Sequence, residues 1–170
     1  RERISEKLAG RRGAAGFNVK LARGGIRDIE FLVQCLQRLH GGRETWVRHG
    51  GTLLSLSRLR DKDLLSLQEY SRLAAAYQFL RHLEHWLQIL EDRQTHTLPT
   101  DPQAIEILAR KMPAAEASGV ISAETFRDRL NAHLEAVQEI YERVIHAQQP
   151  IYYRPLIPPE QRARLEPEPA

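Results

Sequence analysis

Leu73-Ala74-Ala75-Ala76-Tyr77-Gln78-Phe79-Leu80-Arg81-His82-Leu83-Glu84-His85-Trp86-Leu87-Gln88-Ile89-Leu90 is the stretch that decides the fold. At about 100° per residue, Leu73, Ala76, Tyr77, Leu80, Leu83, Leu87 and Leu90 share one wide apolar face, with Phe79 and Trp86 at its edge. Asp61 or Asp63 can cap this helix, and Thr97-Leu98-Pro99 ends it, so the pattern predicts a helix from about residue 61 to Asp92. A helix that long with one apolar face is the spine of a bundle.

Two further amphipathic segments flank it. Ile26, Ile29, Leu32, Val33, Leu36 and Leu39 fall on one arc that Phe31 and Cys35 widen, which predicts a helix over 26–40, opened by Gly24-Gly25 and ended by Gly41-Gly42. Phe126, Leu130, Leu134, Val137, Ile140, Tyr141 and Val144 form the stripe of a last helix that Ser122 caps and that runs to about Gln148. Shorter helices fit from Thr52, read as a cap, to about Arg60, and from Thr100-Asp101-Pro102 to about Met112. Residues 1–12 read as a short polar helix broken by Gly10, Gly13 and Gly16, and Phe17–Leu21 alternates as an extended segment does. Pro150, Pro155, Pro158, Pro159, Pro167 and Pro169 make residues 150–170 an extended tail. No internal repeat and no strand-rich region is visible. The expected fold is all-α: a helical bundle with one long spine helix and a Pro-rich C-terminal tail.

Composition narrows the function. The chain has 170 residues, 42% hydrophobic and 28% charged, as a globular domain with a sizeable core does. A single cysteine, Cys35, excludes an internal disulfide and a thiol-held metal centre, so a reducing cytoplasm is the expected compartment. No apolar run approaches the ~20 residues of a membrane span, and no secretory leader pattern occurs. Arg1 is the first residue and Met112 the only methionine, so the chain is expected to be a piece of a longer protein. The net charge of +3 hides an asymmetry: residues 1–43 hold ten Lys and Arg against four acids. A basic quarter of this kind suits phosphate or an acidic partner surface, and equally a solvated face. Nucleic acid is not expected, because few aromatics interleave with those arginines.

The most informative segment for chemistry is Lys20–Phe31. Two glycines allow close backbone approach, and the helix they open turns unpaired N–H groups and its positive dipole end outward, among Lys20, Arg23 and Arg27. These features describe an anion site suited to phosphate; the same spacing admits a plain turn with solvated cations. Asp28, at the border of the buried arc, reads as structural. Glu30 lies on the polar face, where it can reach a cleft and a magnesium ion, or pair locally with Arg27. Glu84 lies at the edge of the spine's apolar arc, one turn from Arg81, which can pair with it. His82, Glu84 and His85 lack zinc-site spacing, and His133 reads as a core-edge histidine. No internal catalytic constellation stands out.

Asn18-Val19-Lys20-Leu21-Ala22-Arg23-Gly24-Gly25-Ile26-Arg27-Asp28-Ile29-Glu30-Phe31-Leu32-Val33-Gln34, followed by Gly41-Gly42-Arg43, resembles the block that begins the helical domain of the glutamine synthetase adenylyltransferase (glutamate–ammonia-ligase adenylyltransferase, adenylyl-removing enzyme) family. Tyr77–Gln88 with Gln94-Thr95-His96-Thr97-Leu98-Pro99 resembles a second block of that family, and the resemblance covers about residues 17–157. It implies a helical domain at 17–149, the end of a nucleotidyltransferase domain or a linker at 1–16, and a tail at 150–170. It implies Lys20, Arg23, Gly24, Gly25, Arg27, Asp28 and Glu30 near nucleotide or a domain interface, and Arg81, Glu84, Gln94, Thr95 and Thr97 as second-block positions.

Such enzymes transfer AMP from ATP to a tyrosine of glutamine synthetase and remove it by phosphorolysis, with Mg2+, ATP, ADP and phosphate as cofactors or substrates, under control of the PII signal protein. The Arg27 form of the first block and Ile151-Tyr152-Tyr153-Arg154-Pro155-Leu156 resemble the first, deadenylylating half. The family's metal-binding Asp-x-Asp on a strand has no counterpart: the only Asp-x-Asp is Asp61-Lys62-Asp63, at a predicted helix start. The chain alone is therefore expected to be inactive. A PII uridylyltransferase resembles it more distantly through a related Gly-Gly-x-Arg-Asp block, and a non-catalytic helical adaptor is the reading from another class.

Overall fold

The computed structural model describes residues 16–91, 95–113 and 122–147. The expected polar helix at 1–12, Gln94 and the Pro-rich tail lie outside them. Among the described residues five α-helices follow in order: α1 (Ile26–His40), α2 (Thr52–Asp61), α3 (Leu67–Glu91), α4 (Pro102–Lys111) and α5 (Ala123–Ala147), with a 3-10 turn at Thr45–Val47 between α1 and α2. Among the described residues the only β pairing is an isolated antiparallel bridge between Asn18 and Thr97. The fold is all-α.

The spine helix is α3, but it begins at Leu67 rather than at 61 or 63. Asp61 closes α2, and Asp63 adopts φ 54° in the link, a left-handed conformation that cannot cap a helix. The cap is Ser66. Its Oγ accepts from the Glu69 N–H at 3.2 Å, and the Glu69 carboxylate accepts from the Ser66 N–H at 2.8 Å, the reciprocal capping box. Thr52 likewise is the first helical residue of α2 rather than its cap, a place Gly51 takes without a side-chain bond. At α4, Asp101 accepts from the N–H groups of Gln103 and Ala104, and at α5 Ser122 accepts from Thr125, as their sequence positions suggest.

α3 and α5 are each 25 residues, about 37 Å long, so the bundle has a pair of long helices rather than one spine. They run antiparallel: Glu69 and Arg72 near the start of α3 pair with Arg143 and Glu139 near the end of α5, while Phe79 stacks on Phe126. Leu73, Ala76, Leu80, Leu83 and Leu87 of α3 and Phe126, Leu130, Val137, Ile140 and Val144 of α5 are buried between them. Ile26, Ile29, Leu32, Val33 and Leu36 of α1 lie over this pair, α2 closes one side through Leu56 and Leu59, and α4 closes the other through Ile105 and Leu108. Two expected face residues are exposed. Phe31 is 49% exposed, with its ring against Tyr141, and Leu90 is 44% exposed beside Ile89. No described helix is long and apolar enough to cross a membrane.

Candidate functional site

The turn that opens α1 is built before the helix starts. Asn18 Oδ1 accepts from the N–H groups of Lys20 and Leu21 at 3.0 Å, folding 19–23 into turns, so the expected extended segment is confined to Phe17 and Asn18. Gly24 follows at φ 76°, and a Cβ there would stand 2.1 Å from the Leu134 carbonyl oxygen of α5. At Gly25 a Cβ would meet the Val19 carbonyl at 2.6 Å. The close approach foreseen for the glycine pair is therefore made inside the domain, against α5 and the turn itself, and both glycines are buried.

The same turn consumes the free N–H groups of the helix. Ile26 donates to the Val19 carbonyl at 3.4 Å, Arg27 to Lys20 at 3.2 Å and Asp28 to Gly25 at 3.2 Å. Asp28 Oδ2 accepts from the Gly24 N–H at 2.6 Å, which puts the chain's own carboxylate at the positive end of the dipole. The expectation of outward-pointing N–H donors for an anion is thus corrected: backbone carbonyls and Asp28 already satisfy that end of α1, and wheel arithmetic does not see carbonyls from the preceding turn. What faces outward is side chains. Arg27 is exposed, and Arg23 reaches Glu142 at 3.0 Å in an exposed pair.

Behind the turn, the two sequence blocks converge on Glu84. This carboxylate is 4% exposed. Its Oε2 accepts from Arg81 Nη1 at 2.5 Å, the pairing the spacing suggested. Its Oε1 lies 3.5 Å from Lys20 Nζ and 3.0 Å from His96 Nδ1. Neither of those two contacts has hydrogen-bond alignment, so they act on Oε1 through charge and dipole rather than as directed bonds. The strap that delivers His96 is stitched to the α1 turn: Val19 N–H donates to the His96 carbonyl at 2.8 Å, and Leu98 N–H to Phe17 at 2.9 Å. Thr97 bridges to Asn18, and Thr95 Oγ1 accepts from the Thr97 N–H at 3.2 Å. Two turns earlier on α3 than Glu84, the Tyr77 hydroxyl donates to Glu30 Oε1 at 3.3 Å. Asp28 and the Cys35 thiol face the neighbouring Tyr141, whose hydroxyl is pushed above its ordinary pKa mainly by burial and further by those two groups.

Lys20, Arg81 and Glu84 thus meet, whereas Arg23 and Arg27 stand on the rim. His96 and Tyr77 belong to the junction although only their place inside the second block signalled it. Glu30 holds the Tyr77 hydroxyl, Asp28 is engaged with Gly24, and Asp61-Lys62-Asp63 is exposed on the far link. Among the described residues no group of three or more His, Cys, Asp or Glu could hold a metal ion. The described residues do not fit a magnesium site.

Fold and junction together define a helical domain whose chemistry is a buried carboxylate contacted by a lysine, an arginine and a histidine, with basic side chains at its rim. The chain belongs to the family described as GlnD PII-uridylyltransferase, whose model matches residues 1–145. Its curated relatives include proteins named bifunctional glutamine synthetase adenylyltransferase/adenylyl-removing enzyme. That of Rhodopseudomonas palustris (strain HaA2) is 43% identical over 129 residues, which is 76% of this chain and 12% of the relative. That of Nitrosococcus oceani is 39% identical over 144 residues, 85% of this chain and 14% of the relative. That of Neisseria meningitidis serogroup A is 37% identical over 128 residues, 75% of this chain and 14% of the relative. The chain thus spans 12–14% of the length of these curated relatives.

Proposed function

We propose that this chain is the helical domain of a bifunctional enzyme that attaches AMP to, and removes it from, a tyrosine of glutamine synthetase, and that it belongs to the first, adenylyl-removing half. In this reading the rim formed by Lys20, Arg23, Arg27 and Arg81 faces the nucleotidyltransferase domain and supports binding of ATP, ADP or phosphate there. Mg2+ is held by that other domain, PII governs the parent enzyme, and the compartment is the cytoplasm. The observation that carries the reading is the convergence at Glu84: Lys20 from the first block and Arg81 and His96 from the second close on one buried carboxylate. The two blocks that carry the sequence resemblance thereby form a single structure with a basic outer edge.

The domain's own residues position and neutralise; none supplies a nucleophile or a metal. Glu84 holds Lys20 and Arg81 at a set separation, so their charge is presented without the ordering cost a free lysine or arginine incurs on binding an anion. Arg27 tests this best, because it is exposed and has no partner among the described hydrogen bonds and ion pairs. In the full-length parent enzyme, Arg27→Ala should lower AMP transfer or removal about tenfold or more, the value of one charge-assisted contact. The melting temperature should hardly move. Normal kinetics with ATP, ADP and phosphate in that variant would sink the assignment of the rim, and turnover by the purified 170-residue chain would sink the supporting role.

The description of the matching family favours one other reading, the helical domain of a PII uridylyltransferase. Labelled-nucleotide transfer by the parent enzyme to purified glutamine synthetase or to purified PII separates the two.

A further inference from the structure

At the opposite end of α1 from the junction, Gln37, Arg38, Gly41, Gly42, Arg48 and His49 line a groove of about 430 Å³. No carboxylate lines it, and the nearest acid of the loop, Glu44, is engaged with Lys62 at 2.8 Å. We propose that this groove is an anion site for a phosphate group, separate from the basic rim described above.

Its walls are set before any ligand arrives. Gln37 Nε2 lies within donating distance of the Val47 carbonyl (2.8 Å), the His49 carbonyl (2.9 Å) and Ser55 Oγ (2.9 Å), and Ser55 is fully buried. The loop from the 3-10 turn to α2 is therefore pinned to the last turn of α1. Arg48 Nε donates to the Gly41 carbonyl at 2.7 Å, which fixes the plane of its guanidinium, and neither Nη group of Arg48 has a partner among the described hydrogen bonds. His49 Nδ1 accepts from the Gly51 N–H at 2.9 Å, so the neutral ring carries its proton on Nε2 as a second donor. Arg38 is exposed on the facing wall, again without a described partner. Two guanidinium groups and an imidazole N–H around a pre-formed hollow are the donor set that binds tetrahedral oxyanions. Gly42 leaves the floor open, with nothing within 4 Å of where a Cβ would stand.

A helix C-terminus ordinarily repels an anion. Here part of that end is covered: Gln37 accepts from Gly41, His40 from Arg43 and Glu44, and the Gly41 carbonyl just beyond the helix from Arg48. The two full guanidinium charges outweigh what remains of the helix end, on the order of half an elementary charge, and dominate the groove.

The phosphate group can come from inorganic phosphate or from a nucleotide, and the test separates them. The 15N-labelled 170-residue chain is titrated with inorganic phosphate, ADP and ATP into the millimolar range at fixed ionic strength, with potassium chloride as the control. Saturable shifts of the Gly41, Gly42, Arg48, His49 and Gly50 amides are expected, weakened about tenfold by Arg38→Gln and by Arg48→Gln but not by Arg127→Gln on α5. Saturation by ADP and ATP alone would identify a nucleotide phosphate, and saturation by all three a free phosphate site. Arg48→Lys, which keeps the charge, should restore part of the affinity if the loop stays folded. Non-saturable shifts spread over the basic surface, or shifts that Arg38→Gln leaves unchanged, would overturn the proposal.

Discussion

Glu84 shows how far a single residue can be read from its sequence position. The wheel placed it at the edge of the apolar face and offered Arg81 one turn away; both hold. Lys20 and His96 were not legible as its partners, because long-range contacts leave no periodic trace. Glu84→Gln keeps the shape and removes the charge, and should destabilise the chain by about 1–3 kcal/mol in urea unfolding. Full burial of all three partners would cost more, but Lys20 and Arg81 side chains are 36% and 49% exposed and can be rehydrated. Gly24 and Gly42 make a matched pair. Gly24→Ala meets the Leu134 carbonyl at positive φ, and should cost about 3 kcal/mol or more, whereas Gly42→Ala meets nothing and should stay within about 0.5 kcal/mol. His133, read as a core-edge histidine, packs its ring 4.7 Å from Phe79, and burial, aided by Arg129, depresses its pKa below the ordinary value. A depressed histidine binds its proton more readily when unfolded. Stability is therefore whole above the unfolded pKa of about 6.5 and falls as pH drops from there towards the folded value. His133→Gln should flatten that slope between unfolding midpoints measured at about pH 7.5 and about pH 5.5.

Among the elements, α1, α4 and α5 were legible almost to the residue, because each couples a clear apolar stripe to a local stop or start: the glycine pairs, Asp101 with Pro102, and Ser122. The start of α3 was not. Two acidic residues upstream look like caps, yet α2 extends through Asp61 and the link turns at Asp63. The true signal, Ser66-Leu67-Gln68-Glu69, was present in the chain but lay inside what looked like a continuous helix. Ser66→Ala should therefore lower stability by about 1 kcal/mol, while Asp63→Ala should not act through lost capping. Both are measurable by thermal unfolding. Phe31 teaches a related lesson. Its angle puts it on the rim of the arc of α1, but whether a rim residue is covered depends on its neighbours, and the Tyr141 ring of α5 leaves it 49% exposed.

For the whole molecule, patterning alone decided the class, since three long apolar faces with no strand partner leave only a bundle. The antiparallel pairing of α3 with α5 needed the structure, as did the fate of the N-terminal basic charge. Leu80, fully buried between those helices, should cost about 2–5 kcal/mol when replaced by alanine, and Leu134, 7% exposed and against the Gly24 turn, should lie towards the lower end. A chemical denaturation series followed by far-ultraviolet circular dichroism checks both. The short bridge between Asn18 and Thr97 reaches further than its size suggests, for it ties the ends of a loop on the order of 80 residues that contains α1, α2 and α3. Closing so long a loop is entropically slow, and two backbone bonds cannot nucleate it, so the strap should dock only after the helices it encloses have assembled. Opening it, conversely, lifts off residues 95–99, all of them only partly buried. The Val19 and Leu98 amides should then exchange with solvent deuterium through a local excursion far cheaper than global unfolding, while amides in the middle of α3 wait for the whole domain.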